Sequence, residues 1–168
     1  GGILQVGNGQ AKDFVAVAAI QQRTMAAIAT TEGKGIASPK DLEGKTLADT
    51  PSSVVRNLFP TYARLAGIDA AKVKWVNGEA QTLMGTLASG SVDGIGQFVV
   101  GAPTIEAVTK KKPVMLPYSN VMTDLYGNVL IASSKMAKEN PDKVKRFKLT
   151  IGGETNFDAG YNGNILVN

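Results

Sequence analysis

Apolar residues fall along this chain in short blocks broken by Gly, Pro, Ser and Asn, and strand-like blocks alternate with helical ones. Phe14 to Ile20 and Met25 to Ala29 are β-rich runs that predict two strands, with the polar interruption Gln21-Gln22-Arg23-Thr24 between them. Lys45 to Ala48, Val73 to Val76, Val92 to Ile95, Pro113 to Leu116 and Val129 to Ala132 read as further strands. A helical period takes over between them. Val55, Leu58, Phe59, Tyr62, Leu65 and Ala66 share one helix face. Glu79 to Ser89 is the next helix, with Leu83, Met84 and Leu87 inward, and Pro103 opens a third. Short helices follow from Ser133 or Ser134 and from Asn140-Pro141, because Asn caps well and Pro suits a first helical position. At the start, Ile3 to Val6 predicts a strand before the turn Gly7-Asn8-Gly9, and residues 150–168 read as turn-rich.

The breaks sharpen these boundaries. Ser38 is placed to cap a single turn begun by Pro39, and Gly44 stops it. Ser52 or Ser53 caps the first long helix and Gly67 ends it; Gly90 ends the next. Pro60 removes one backbone hydrogen bond inside that first helix, so a kink or break is expected near Arg56–Pro60. Strand–turn–helix repetition predicts an α/β fold that gathers strand C-termini and helix N-termini on one edge.

Composition narrows the chemistry. A hydrophobic content of 43% over 168 residues supplies a core, and no apolar run approaches the ~20 residues of a membrane span. These residues include no Cys and no His, which excludes disulfides, thiolate nucleophiles, His-based acid–base catalysis and the usual zinc sites within them. The net charge of +4 is dispersed. Its one run, Lys110-Lys111-Lys112, has no interleaved aromatics and reads as a solvated helix end, not a nucleic-acid patch.

The stretch Gly35-Ile36-Ala37-Ser38-Pro39-Lys40-Asp41-Leu42-Glu43-Gly44-Lys45 resembles the entry into the second lobe of bacterial ABC-transporter solute-binding proteins of the thiamine-pyrimidine, alkanesulfonate and taurine/nitrate type. The resemblance continues through Leu58-Phe59-Pro60, Gly67-Ile68-Asp69, Val73-Lys74-Trp75-Val76-Asn77, Leu87 to Ile95, Tyr126-Gly127-Asn128 and Glu139 to Phe147. It implies a type II periplasmic-binding-protein fold: two α/β lobes joined by hinge crossings, with the first lobe incomplete. On this reading residues 1–36 are a partial first lobe and hinge crossing, 37–130 the second lobe, and 131–168 the return to the first lobe plus an unassigned tail. Members of the family are nearly twice as long, so a fragment is expected, with segments missing near Gln10–Ala11. The implied function is non-catalytic capture of a small organic solute for an ABC permease. The implied protein is a monomer in the periplasm or at the cell surface, with no cofactor, no nucleic acid and no membrane insertion. Two rivals share the fold. A pyrimidine-synthesising enzyme needs a His that is lacking here, and a transcription regulator's sensing domain needs a helix-turn-helix absent from these residues.

Four segments are candidates for the site. Thr50, Ser52 and Ser53 follow a strand and open a helix, where free N–H groups and the helix dipole favour an anion; simple capping is the alternative. Gly96-Gln97-Phe98 offers close backbone approach, an amide and an apolar face, with core packing of Phe98 the alternative. Asp124, Tyr126 and Asn128 suit a cationic or heteroaromatic ligand beside a cleft. By resemblance, Gln22, Arg23 and Thr24 lie on the first hinge crossing. The resemblance also implies that the Thr50–Ser53 turn faces both crossings across a groove.

Overall fold

The computed structural model describes residues 12–147; the expected strand at Ile3–Val6, the turn at Gly7–Gly9 and the tail from residue 150 lie outside them. The described residues divide into two compact units, residues 12–22 with 126–147 (unit 1) and residues 23–125 (unit 2).

Unit 1 pairs strand β1 (Phe14–Ala19) antiparallel with β7 (Val129–Ser133), with a bulge between Ala16 and Ala18. Ser133 accepts the Met136 amide at 3.1 Å and so caps the short helix α4 (Ser134–Glu139). Asn140 separates it from a further helical run at 141–147. The segments that lead into unit 2 are tied together inside unit 1, where the Gly127 amide donates to Gln21 O at 3.0 Å.

Unit 2 is built on a five-stranded sheet in the order β4-β3-β5-β2-β6. Its strands are β2 (Ala26–Thr31), β3 (Thr46–Asp49), β4 (Lys74–Asn77), β5 (Gly94–Phe98) and β6 (Pro113–Pro117). β3 runs parallel to both β4 and β5, and β2 runs antiparallel to β5 and β6. Residues 23–36, read from sequence with the first lobe, thus supply a strand of this sheet. All six residues of β2 are buried. Its small side chains, AAIATT, fit a strand covered on both faces, and Thr30 satisfies its hydroxyl by donating to Asp93 O at 2.6 Å.

Helix α1 (Val54–Ala66) follows β3, α2 (Leu83–Ala88) follows β4, and α3 (Ala102–Thr109) follows β5. α1 buries Val55, Phe59, Tyr62 and Ala63 on one sheet face with Ile28, Leu47 and Leu116. On the other face Leu83, Leu87 and Ile105 pack with Ala29, Ala48 and Ile95. Burial of large side chains at roughly 25 cal/mol per Å2 of apolar surface is what holds these layers together.

Four local expectations are corrected. The break expected near Pro60 does not occur: α1 continues through it, and the lost N–H deprives only the Arg56 carbonyl of its usual partner. Leu65 stands at the edge of the apolar stripe and is 48% exposed. The helix expected from Glu79 begins only at Leu83, after a turn in which the Thr82 amide donates to Glu79 O at 2.9 Å. The strand expected over Val92 to Ile95 spans Gly94–Phe98 instead, because pairing with β2 continues to Ala26↔Phe98.

Candidate functional site

The C-terminal ends of β3 and β5 lie side by side in unit 2, and the chain leaves them in opposite directions. From β3 it passes through α1 to β4 on one side; from β5 it passes through α3 towards β6 on the other. Divergence of this kind opens a crevice outside the strand ends, where ligands of open α/β sheets bind. A pocket of about 310 Å3 occupies that place, lined by residues 49–50, 53–55 and 96–98 with Ala80 and Leu83. Its size suits one small molecule.

Asp49, the last residue of β3, is the group that the sequence reading missed. Its Oδ1 accepts the Thr50 amide at 2.7 Å, and its buried Oδ2 has no hydrogen-bond partner among the described residues. The parallel register Ala48↔Ile95 brings Asp49 beside Gly96 at the next step. A Cβ on Gly96 would overlap the Asp49 carboxylate, so glycine is what admits the acid at the strand end. In the sequence Asp49 reads as the close of a strand, and only the pairing of two strands distant in sequence reveals its neighbour.

Ser53 caps α1, its Oγ accepting from the Val55 and Arg56 amides at 3.1 and 3.5 Å. Capping therefore accounts for Ser53, while the residue also lines the pocket. Gln97 Oε1 accepts the Phe98 amide at 2.8 Å, leaving the Nε2 donors without a partner among the described residues. Gly101 lets that side chain lie close, since a Cβ there would come within 2.8 Å of Gln97 Cγ. Phe98 is exposed at the rim and is not core packing. Beneath the pocket, Tyr118 donates to Val55 O at 3.0 Å and stacks on Tyr62 with ring centroids 4.0 Å apart. Burial raises the Tyr62 hydroxyl to about 12 and pushes that of Tyr118 higher still, so both stay protonated donors.

Of the residues expected at the site, Thr50, Ser53, Gln97 and Phe98 meet in this pocket. Ser52 is exposed beside it, and its carbonyl accepts from the Asn57 side-chain Nδ2 at 3.3 Å. Arg23, Thr24 and Asp124 belong to unit 2 outside the pocket lining. Thr24 is buried, with Oγ1 accepting the Ala26 amide at 3.2 Å and its own amide donating to Leu125 O at 2.7 Å. Gln22, Tyr126 and Asn128 are exposed residues of unit 1, where the Asn128 amide donates to Gln21 Oε1 at 3.0 Å. Among the described residues no group of three or more Asp or Glu side chains is placed to hold a metal ion.

Comparison with known proteins puts this geometry in context. A family model described as NMT1/THI5 like matches residues 3–151. No match is found among curated proteins. Among solved structures, the periplasmic aliphatic sulphonate binding protein SsuA from Escherichia coli is similar, with TM-score 0.71 and 19% identity; the match covers 86% of this chain and 50% of that one. A putative periplasmic sulfonate-binding protein SsuA from Methylobacillus flagellatus gives TM-score 0.63 and 22% identity over 86% of this chain and 43% of that one. A putative L-cystine ABC transporter protein from Listeria monocytogenes gives TM-score 0.59 and 13% identity over 89% of this chain and 69% of that one. The fold is thus the type II periplasmic-binding-protein fold, and the chain spans about half the length of the sulfonate-binding structures.

Proposed function

The chain belongs to the NMT1/THI5-like family, and on that premise we propose that it is the ligand-capturing part of an ABC importer's solute-binding protein. It acts by binding, without catalysis. The solute is a small organic molecule, of the size of a sulfonate or a pyrimidine, held at the strand ends of unit 2. The observation that carries this reading is the pocket at the divergence of β3 and β5, furnished with Asp49, Thr50, Ser53 and Gln97. Strand-end crevices furnish fixed polar groups at little conformational cost, which is what reversible capture requires. The family resemblance supports the further steps: unit 2 forms one wall of an interlobe cleft, closure buries the solute, and a membrane permease receives it. Gln22, Arg23, Thr24, Asp124, Tyr126 and Asn128 are then residues of the hinge crossings. The working compartment is the periplasm or the cell surface.

The test is to purify the whole protein without added solute, denature it and identify what is released by mass spectrometry. A small organic molecule at near-stoichiometric yield, which rebinds to the refolded protein and not to a Gln97→Glu variant, supports the reading. Release of nothing, together with no thermal stabilisation by any solute of a broad panel, overturns it.

A further inference from the structure

The pocket at the ends of β3 and β5 joins a buried carboxylate to a helix N-terminus whose donors are partly taken. The first is Asp49, which is 4% exposed and keeps Oδ2 buried without a hydrogen-bond donor among the described residues. The ion pairs of the described residues are Lys40–Glu43, Lys72–Glu43 and Lys72–Asp69, so none offsets this carboxylate. A buried acceptor left without a donor bears its desolvation cost uncompensated, and a charged one most of all. The second feature is the N-terminus of α1. Its Val55 and Arg56 amides are taken by Ser53 Oγ, so part of the donor set that makes a helix N-terminus an anion seat is already used. A sulfonate here would meet a built-in negative charge and occupied amides.

Resting on the reading that this pocket holds the solute, we propose that Asp49 Oδ2 receives a cationic or N–H-bearing head, such as an ammonium, an amidinium or a ring amino group. The same carboxylate rejects sulfonates and other heads that only accept. A donor on the solute completes the hydrogen bonding of Oδ2 in a desolvated setting, where a charge-assisted bond is strongest. Gln97 Nε2 and the hydroxyls of Thr50 and Ser53 remain to hold an acceptor elsewhere on the solute. Rejection works through like-charge contact and the unmet carboxylate, a stronger discriminator than fit alone.

Calorimetric titration of the whole protein with two matched pairs tests this: benzamidinium against benzenesulfonate, and butylammonium against butanesulfonate. The cation of at least one pair is expected to bind roughly tenfold or more tightly than its sulfonate. Asp49→Asn, which keeps the volume and removes the charge, is expected to erase that preference while its melting curve shows a folded protein. Sulfonates that bind the unaltered protein as tightly as their cations in both pairs overturn the proposal. So does a preference unchanged in Asp49→Asn, which would mean that a buried water alone satisfies Oδ2. If sulfonates bind and Gln97→Glu abolishes their binding, the pocket is still the solute site and only the charge assignment falls. If no probe binds, the solute released from the purified protein decides: one without an N–H or cationic group overturns the assignment, and one whose binding is lost in Asp49→Asn upholds it. If no probe binds and nothing is released, solute capture itself fails and the proposal falls with it.

Discussion

At the scale of single residues, three groups outside simple core packing carry measurable consequences. Gly96 and Asp49 are one steric unit, so Gly96→Ala is expected to cost about 1–3 kcal/mol by overpacking against the carboxylate. Asp49→Ala in the same chain should recover much of that, and a double-mutant cycle from denaturant unfolding reads the coupling; additive effects would mean that the two do not touch. Tyr118 buries its hydroxyl against Val55 O, so Tyr118→Phe should lose about 0.5–1.5 kcal/mol, the net worth of that one hydrogen bond. Glu43 gathers the Asp69 amide at 2.9 Å and the ammonium groups of Lys40 and Lys72, and these hold its carboxyl down at about 2, below the ordinary 4.5. A depressed folded-state value means the contribution to stability is full above about pH 4.5 and is lost as pH falls through about 2. The melting-temperature gap between the protein and Glu43→Gln should therefore shrink across that window; a gap constant with pH would contradict the assignment.

At the scale of elements, what was legible in the sequence was what local chemistry decides. A serine cap at Ser52 or Ser53, Gly67 in the left-handed conformation at φ 70 that ends α1, Pro103 at the start of α3 and a serine cap at Ser133 or Ser134 follow from residue type and spacing alone, and the structure selects Ser53 and Ser133. The helix does not break at Pro60 because tertiary burial of Val55, Phe59, Tyr62 and Ala63 outweighs one missing backbone bond. Replacing Pro60 by Ala should accordingly stabilise α1, by less than the ~3 kcal/mol that a helix-interior proline costs in an unpacked helix, since the native turn already accommodates the ring. Denaturant unfolding measures this, and a destabilised variant would show that the ring's own contacts matter more than the lost bond. The membership of β2 in the second sheet was not legible. Its partners Phe98, Gln97 and Leu116 lie far along the chain, and a run of alanines and threonines does not say which strands it will join.

At the scale of the whole molecule, the ordered series of motifs made the fold readable, because strand–turn–helix repetition and the resemblance agree on a doubly connected α/β arrangement. The site was half readable. Thr50, Ser53, Gln97 and Phe98 mark strand ends, which the βα pattern locates, whereas Asp49 and Gly96 acquire meaning only from the register of β3 with β5. Unit 1 holds a hollow of about 380 Å3, lined largely by apolar side chains including Val17, Leu130, Ile131, Met136 and Phe147. It offers few polar groups to orient a solute, which favours the unit 2 pocket for capture. Amide chemical shifts recorded while the solute released from the purified protein is titrated back decide between these places. The account predicts that saturable shifts concentrate at Asp49, Thr50, Ser53 to Val55 and Gly96 to Phe98. Shifts confined to residues 130–147, or none that saturate, would contradict it.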